Sequence, residues 1–168
     1  MNLKIMIIKI KNKDTLIIGE FKLKCCVGKN GISKNKTEGD LTTPAGIFKI
    51  GNLYWREDRV KKPTTKLFCK KIKRNMGWCN DINSSYYNKE IKKNKSIRHE
   101  KIYRYDSKYN YFILIKYNYD SPKINKGSAI FIHLTKNYKP TAGCIALKKK
   151  DFLIFAKIIK KNSKIIIN

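Results

Sequence analysis

A mainly β fold with a single helix near the C-terminus is predicted by three features of the sequence. Short β-rich runs recur along the chain and are separated by turn residues. One segment, 148–160, carries apolar residues at helical spacing, and an apolar run at 163–167 follows it. The order of strands, then one helix, then a strand indicates an α+β fold with the helix packed on one face of a sheet.

The length of 168 residues suits one domain, which we assign to residues 1–168. No internal repeat or linker interrupts it. The N-terminal part contains four predicted strands. A Gly-Glu pair at 19–20 joins the second to the third strand and predicts a type II′ hairpin. These strands are expected at 3–10, 15–18, 21–27 and 47–50.

The rest of the chain divides into an irregular part and a regular part. Residues 51–110 are polar and aromatic, so we expect mostly loop with short strands there, and a loop region of this length is usually functional. Strands at 111–117 and 129–132 follow. In the predicted helix, the buried face is expected at Phe152, at Phe155 or Ala156, and at Ile159.

The formal net charge is +27, from 39 Lys and Arg against 12 acidic residues, and it leaves two interpretations open. It is typical of proteins that bind nucleic acid or another anionic polymer. It also fits the compositional bias of an A/T-rich genome, because Lys, Asn and Ile are abundant together and the lysines are spread along the chain. We therefore expect nucleic-acid binding only through non-specific, salt-dependent charge.

The five cysteines are an odd number and include no CxxC pair, so a disulfide framework or a structural zinc site is not expected. Cys25 and Cys26 are adjacent on a predicted strand, so at most one of them faces the core. The N-terminal apolar run is broken by Lys4 and Lys9 and does not form a convincing signal peptide. No stretch approaches the roughly 18 apolar residues of a membrane span.

Residues 128–147 hold the strongest candidate for a catalytic site. A short apolar run leads to His133, and eleven residues later Cys144 follows Gly143. A thiol attacks a carbonyl as the thiolate and needs a base, which His133 can provide. The Gly143 and Cys144 N–H groups could bind an oxyanion, and basic surroundings would lower the pKa of the thiol. Structural roles for both side chains remain open from these residues alone.

These residues resemble the signature of the L,D-transpeptidase catalytic domain family (YkuD-type). That signature is a histidine, a spacer, then Ser or Thr, His, Gly and Cys. The corresponding residues here are His133 and then Thr141, Ala142, Gly143 and Cys144. Upstream, residues 43–48, TPAGIF, are similar to the family's Thr-Pro-x-Gly-x-Phe segment, and a Gly-Asp pair at 39–40 precedes them.

The resemblance implies an L,D-transpeptidase-like β-sandwich that acts on peptidoglycan stem peptides in the periplasm or cell envelope, without a metal or organic cofactor. It implies that Cys144 attacks the bond between the L-centre and D-alanine and that His133 is the base. The resulting thioester would pass to an amine or to water. Other outcomes stay open: cleavage of a lipoprotein from peptidoglycan, or a non-catalytic cationic module that binds nucleic acid or wall polymer. The oligomeric state is not predicted.

The sequence departs from the family signature at three points. Ala142 replaces a histidine, Ala146 replaces a polar residue, and the spacer after His133 is short. We expect His99, next to Glu100, either to fill the place of the missing histidine or to contact a stem carboxylate, although a structural role is also open. Auxiliary or substrate-binding roles are also expected for Thr141 and Trp78, with core packing as the alternative for Trp78. Asp40 is expected to order the loop before residues 43–48.

Overall fold

The computed structural model describes residues 5–168, in which fourteen strands and one helix are present. The predicted mainly β fold with one C-terminal helix is confirmed. The elements are β1 Ile7–Lys11, β2 Thr15–Ile18, β3 Phe21–Cys26, β4 Ile32–Ser33, β5 Thr43–Pro44, β6 Gly46–Trp55, β7 Cys69–Lys71, β8 Met76–Cys79, β9 Glu90–Lys92, β10 His99–Lys101, β11 Tyr111–Ile115, β12 Phe131–Leu134, β13 Ile145–Leu147, α1 Lys149–Ile158 and β14 Lys164–Ile167.

Most predicted elements occur within two residues of their expected limits. Ile18 pairs with Phe21 across the two-residue hairpin, and Gly19 has a φ of +57° as a type II′ turn requires. The strand predicted at 47–50 is longer than expected, because β6 continues to Trp55. The strand predicted at 3–10 starts in residues that lie outside the described range, and β1 begins at Ile7.

Two strands, β3 and β6, each belong to two sheets and join them into a sandwich. Residues 46–49 of β6 pair with β14, and residues 50–55 pair with β11. Likewise, β3 pairs with β2 through residues 21–24 and with β13 through residues 25–26. The ladder therefore runs β11-β12-β13-β3-β2-β1-β14-β6 and returns to β11. Strands that pass from one sheet to the other form the corners of such a sandwich.

The main core lies inside this closed ladder and beneath α1. Phe152, Phe155, Ala156 and Ile159 are fully buried, which confirms the predicted apolar face of the helix. The Phe152 ring stacks on that of Tyr111, with 5.7 Å between the ring centroids. No helix among residues 5–168 is long and apolar enough to cross a bilayer.

A second apolar cluster lies on the opposite face of β11 and β12. Side chains alternate along a strand, so Ile132 and Leu134 enter the main core while Phe131 enters the second cluster. A small sheet of order β10-β8-β9, built from the irregular segment, contributes Trp78 to this cluster. Cys144 also belongs to it. The candidate catalytic residues thus lie between the sandwich and the small sheet.

Both cysteines of the 25–26 pair are buried at the corner where β3 changes sheets. Cys25 belongs to the main core, whereas the Cys26 thiol donates a hydrogen bond to the Lys139 carbonyl at 3.3 Å. The prediction that at most one of them faces the core is therefore confirmed. Burial, with smaller effects from Cys26 and Asp14, raises the pKa of the Cys25 thiol to about 12.

This raised pKa predicts a loss of stability in alkali. The unfolded chain releases the Cys25 proton above its ordinary pKa of 9.0, whereas the folded chain keeps it. Stability from this group is therefore complete below pH 9 and declines as the pH rises towards 12. Between pH 9 and 10 the free energy of unfolding of the wild type should fall by about 1 kcal/mol more than that of Cys25→Ala. Urea unfolding at both pH values measures this, and equal falls would contradict it.

Candidate active site

The loop that carries Cys144 is braced from within by Thr141. The Thr141 hydroxyl donates to the Cys144 carbonyl at 2.6 Å and accepts a hydrogen bond from the Gly143 N–H at 3.1 Å. Thr141 is itself held by backbone hydrogen bonds to Val27 and Lys29. Its role in this structure is thus to shape the loop. Because the Gly143 N–H already has an acceptor, the expectation that it is a free oxyanion donor is not met.

The upstream TPAGIF segment makes direct contact with this loop. The Thr43 hydroxyl donates to the Gly143 carbonyl at 2.8 Å and accepts from the Gly28 N–H at 2.8 Å. Gly143 has a φ of +142°, and a Cβ at this position would lie 2.7 Å from the Thr42 carbonyl oxygen. Both the backbone conformation and the close approach require glycine here. The two motifs that are 100 residues apart in sequence therefore form one unit.

The thiol of Cys144 is buried and points towards the backbone of the neighbouring strand. Its Sγ donates to the Ala129 carbonyl at 3.2 Å and accepts from the Phe131 N–H at 3.3 Å. Burial raises its pKa to about 12, the Phe131 N–H and Lys36 oppose this shift, and Glu100 adds to it. The expectation that basic surroundings would lower the pKa is thus wrong, because burial has the larger effect.

Asn88 is a buried residue that holds Ala129 in place. Ala129 has an unusual φ of +53°, and its N–H donates to Asn88 Oδ1 at 3.0 Å. The same oxygen accepts from Trp78 Nε1 at 2.9 Å, and Asn88 Nδ2 donates to the carbonyl of Tyr117. Sequence reasoning did not identify Asn88, although a buried side-chain amide with all its groups bonded is a typical structural hub.

Trp78 has no exposed surface. The structure thus shows core packing, the alternative to a substrate-binding or auxiliary role, and brings no surface of Trp78 to either site cavity. It contacts Phe131 edge-on, with the centroids of the two rings 5.1 Å apart, and donates to Asn88. Trp78 thus contacts two residues that bear on the site: Asn88, which holds Ala129, and Phe131, whose N–H donates to Cys144.

His133 lies in β12 on the same face as Cys144 and is buried. Its Nδ1 lies 2.9 Å from the Leu134 carbonyl oxygen, which can only accept, so Nδ1 carries the hydrogen and Nε2 is the free base. Burial lowers the pKa of His133 to about 4, although the Leu134 carbonyl opposes this shift. The imidazole is therefore neutral at pH 7.

Cys144 and His133 are brought to one region but share no hydrogen bond. Cys144 lines a cavity of about 200 Å³, and His133 lines a neighbouring cavity of about 600 Å³. Glu100, Tyr109 and Ala142 line both cavities and so form the boundary between them. The Tyr109 ring meets His133 edge-on at a centroid distance of 5.3 Å. The Cys144 thiol donates instead to the Ala129 carbonyl, and His133 Nδ1 donates to the Leu134 carbonyl.

His99 does not take the place left by Ala142. Its ring packs over Gly77, where a Cβ would lie 2.6 Å from His99 Cδ2, and its Nδ1 lies 2.7 Å from the Ile97 carbonyl. Alternate residues of a strand face opposite sides, so it is Arg98 and Glu100 that line the Cys144 cavity. The structure therefore does not bring His99 to the cavity of Cys144 or to that of His133, and a contact with a stem carboxylate stays a prediction. Glu100 accepts a hydrogen bond from the Tyr109 hydroxyl at 2.8 Å.

Asp40 orders the loop before the TPAGIF segment, as expected. Its carboxylate accepts hydrogen bonds from the N–H groups of Thr37 and Thr42, from the Thr42 hydroxyl and from the Lys36 ammonium. Partial burial would raise its pKa, but these hydrogen bonds, led by Lys36, lower it to about 2. The loop is therefore held against Gly143 by an ionised carboxylate.

Most arginines of the chain serve a structural purpose at the rim of the site. Arg56 Nη1 donates to the Arg104 carbonyl at 2.6 Å, and Arg59 Nη1 donates to the Tyr105 carbonyl at 2.7 Å. Residues 104–106 border the cavity that contains His133. Four of the five arginines line a further cavity of about 910 Å³ on the other side of this segment: Arg56, Arg59, Arg74 and Arg104.

Among residues 5–168 no three His, Cys, Asp or Glu side chains cluster to hold a metal ion.

Comparison with known proteins assigns the family. The family model described as L,D-transpeptidase catalytic domain (YkuD) matches residues 5–167. The chain belongs to this family. Within the family signature, the structure brings Thr141, Gly143 and Cys144 into one loop and His133 to the adjacent strand. No curated protein sequence matches the chain.

Solved structures with a similar fold are also known. The helical cell shape determining protein Pgp2 from Campylobacter jejuni is similar, with a TM-score of 0.54 and 16% identity, and a point mutant of it gives 0.51 and 17%. Each match covers 98% of this chain but 47% of the Pgp2 chain, so this chain spans about half the length of that protein. An L,D-transpeptidase from Mycobacterium smegmatis gives a TM-score of 0.45 at 12% identity, over 98% of this chain and 58% of that one.

The raised pKa predicts how Cys144 reacts with a neutral alkylating agent. Because iodoacetamide reacts with the thiolate, its rate of reaction with Cys144 should rise about tenfold per pH unit from pH 7 to pH 10 without a plateau. Peptide mapping by mass spectrometry identifies Cys144 among the five cysteines. A plateau that begins near neutral pH would instead show a thiolate–imidazolium pair in the free enzyme.

The contact at Gly143 predicts that Gly143→Ala is more harmful than a matched change at Gly19. Both positions have positive φ, but a Cβ at Gly19 meets no atom within 4 Å. We expect Gly19→Ala to cost about 1 kcal/mol of unfolding free energy and Gly143→Ala at least about 1 kcal/mol more. Urea unfolding measures both costs. Equal costs would show that the loop moves away from Thr42 freely.

Proposed function

We propose that this protein is a peptidoglycan L,D-transpeptidase-type enzyme with Cys144 as nucleophile and His133 as general base. Membership of the family supports an acyl-transfer reaction on stem peptides. The observation that carries the assignment of roles is the hydrogen bond from His133 Nδ1 to the Leu134 carbonyl at 2.9 Å. It leaves Nε2 unprotonated on the face of β12 that Cys144 shares.

The first step is attack by the thiol. Cys144 rotates from the Ala129 carbonyl, and its proton passes to His133 Nε2 as Sγ attacks the carbonyl carbon at the L-centre of the third stem residue. The tetrahedral intermediate carries an oxyanion, for which the Cys144 N–H is a candidate donor. The carbon–nitrogen bond to D-alanine then breaks, and His133 returns the proton to the leaving amine.

The second step releases the enzyme from the thioester. An amine of a second stem peptide, or a water molecule, attacks the thioester carbonyl while His133 Nε2 accepts its proton. The carbon–sulfur bond breaks, and the thiolate regains the proton from His133. With an amine the product is a cross-link, and with water it is a shortened stem. Buried, neutral partners favour this base-assisted route over a preformed ion pair.

The location proposed for this reaction is the periplasm or cell envelope, where peptidoglycan is present. The partners are stem peptides. Non-specific attraction of other polyanions is expected from the net charge of +27 and should weaken with salt.

Incubation with purified muropeptides tests the proposal. Mass analysis should show loss of one D-alanine, or a cross-linked dimer, with the wild-type protein. Cys144→Ala and His133→Ala should each lower the rate by at least about 100-fold, because nucleophile and base act together. Cys69→Ala is the matched control, since that half-buried thiol lies outside both site cavities, and it should retain wild-type activity.

The same experiment separates the alternatives. Release of a lipoprotein-derived peptide, with the D-alanine retained, would indicate the amidase reaction. No change in any muropeptide, together with equal binding of anionic wall polymer by wild type and Cys144→Ala, would indicate a non-catalytic cationic module. Either result contradicts the transpeptidase-type assignment.

A further inference from the structure

The cavity that contains Cys144 also contains a buried ammonium group. Lys36 is only 4% exposed, which is rare for lysine. Its Nζ donates to Asp40 Oδ1 at 2.7 Å and to the Thr42 carbonyl at 2.7 Å. Burying a charged ammonium costs desolvation free energy. A lysine is therefore buried only where its charge is paired with an opposite charge or has a function.

Two glycines make room for this lysine. A Cβ at Gly127 would lie 2.7 Å from Lys36 Cε, and a Cβ at Gly143 would lie 3.4 Å from Lys36 Nζ. Both glycines have positive φ, so the backbone at both positions already disfavours a side chain. The ammonium is therefore held beside the loop of the nucleophile by the fold itself.

The ammonium retains a capacity for one further acceptor. Of its three hydrogens, two have acceptors among residues 5–168, and the partner carboxylate of Asp40 is shared with three other donors. Asn80 Oδ1, from another residue that lines the cavity, is buried without a hydrogen-bond partner among the same residues. A free donor and a free acceptor in one cavity fit a peptide that ends in an anionic group.

The remaining groups of the cavity do not replace Lys36. The Gly143 N–H donates to Thr141, and position 142 is alanine where the family signature has histidine. Arg98 is a second cation of the lining, but its side chain is exposed, so solvent and salt screen its charge more than that of the buried Lys36. The two carboxylates of the cavity, Glu38 and Glu100, accept hydrogen bonds from tyrosine hydroxyls.

We propose that Lys36 binds an anionic oxygen of the substrate beside Cys144. This inference rests on the proposed acyl transfer for its substrate, but not for its geometry. Two oxygens have the required chemistry: the oxyanion formed from the attacked carbonyl, and the carboxylate at the end of the stem peptide. Lys36 is thus a determinant of rate in the first case and of specificity in the second.

Alkylation of Cys144 tests the anion site without any peptidoglycan. Iodoacetate carries a carboxylate and iodoacetamide does not, so the ratio of their rates at one pH cancels the fraction of thiolate. Lys36→Met keeps most of the length of the aliphatic side chain and removes its charge. We expect it to lower the iodoacetate to iodoacetamide ratio at least about fivefold, since a close charge acts strongly in a buried site.

Lys150→Met is the matched control, because it removes the same charge from an exposed position on α1. Its ratio should equal that of the wild type. Lys36→Met leaves Asp40 without its cation, so Lys36→Met/Asp40→Asn is the second variant if the single change prevents folding. A wild-type ratio in a folded Lys36 variant would overturn the proposal.

Turnover of muropeptides distinguishes the two oxygens. A fall in kcat with KM unchanged in Lys36→Met assigns the oxyanion. A rise in KM with kcat unchanged, absent when the terminal carboxylate is amidated, assigns the carboxylate. Unchanged kcat and KM would overturn a role in catalysis. If the wild type turns over no muropeptide while its alkylation ratio still depends on Lys36, the anion site stands and the proposed function fails.

Discussion

The close contact between residues 42–43 and Gly143 determines where the Cys144 thiol lies. Thr43 is fully buried, and its hydroxyl joins Gly28 to Gly143. The segment continues through Pro44 into β6, the strand that both sheets share. A displacement of this segment would therefore disturb a corner of the sandwich as well as the position of Cys144. This coupling explains why a small polar residue and a glycine are needed at two distant points of the chain.

Local signals account for the parts of the fold that the sequence predicted. The Gly-Glu pair at 19–20 defines the β2–β3 hairpin, and the spacing of Phe152, Phe155 and Ile159 defines α1. The full length of β6 and the small sheet of β8, β9 and β10 were not predicted in detail. Their pairing is non-local, and residues 51–110 alternate too weakly to reveal a buried face. The small sheet formed by this polar, aromatic segment packs over the site. It does so because two of its apolar side chains, Trp78 and Ile102, are fully buried in the second apolar cluster.

The sequence named candidate residues for the site, whereas it could not give their environment. The motif pointed to Cys144 and His133, while burial, which sets their pKa values, is a tertiary property. His99 and Glu100 show that a sequence does not reveal which of two adjacent strand residues points its side chain into a cavity. A shift of one residue along β10 exchanges the cavity-facing side chain for the one that packs over Gly77, and only the register with β8 decides between them. Asn88 had no signal beyond being an asparagine in a polar segment.

The resting site combines a neutral thiol with a neutral imidazole, so its reactivity depends on the side-chain position of Cys144 more than on stored charge. The thiol is held by the carbonyl of Ala129, a residue whose left-handed backbone is maintained by Asn88. Rotation breaks both hydrogen bonds of Sγ, the one to the Ala129 carbonyl and the one from the Phe131 N–H, but this costs less than ionising a buried thiol. Binding of a substrate that fills the Cys144 cavity can supply this energy. In the mechanism that we propose, activation by rotation towards His133 Nε2 is thus easier than activation by ionisation, and the thiol becomes available only when substrate is bound.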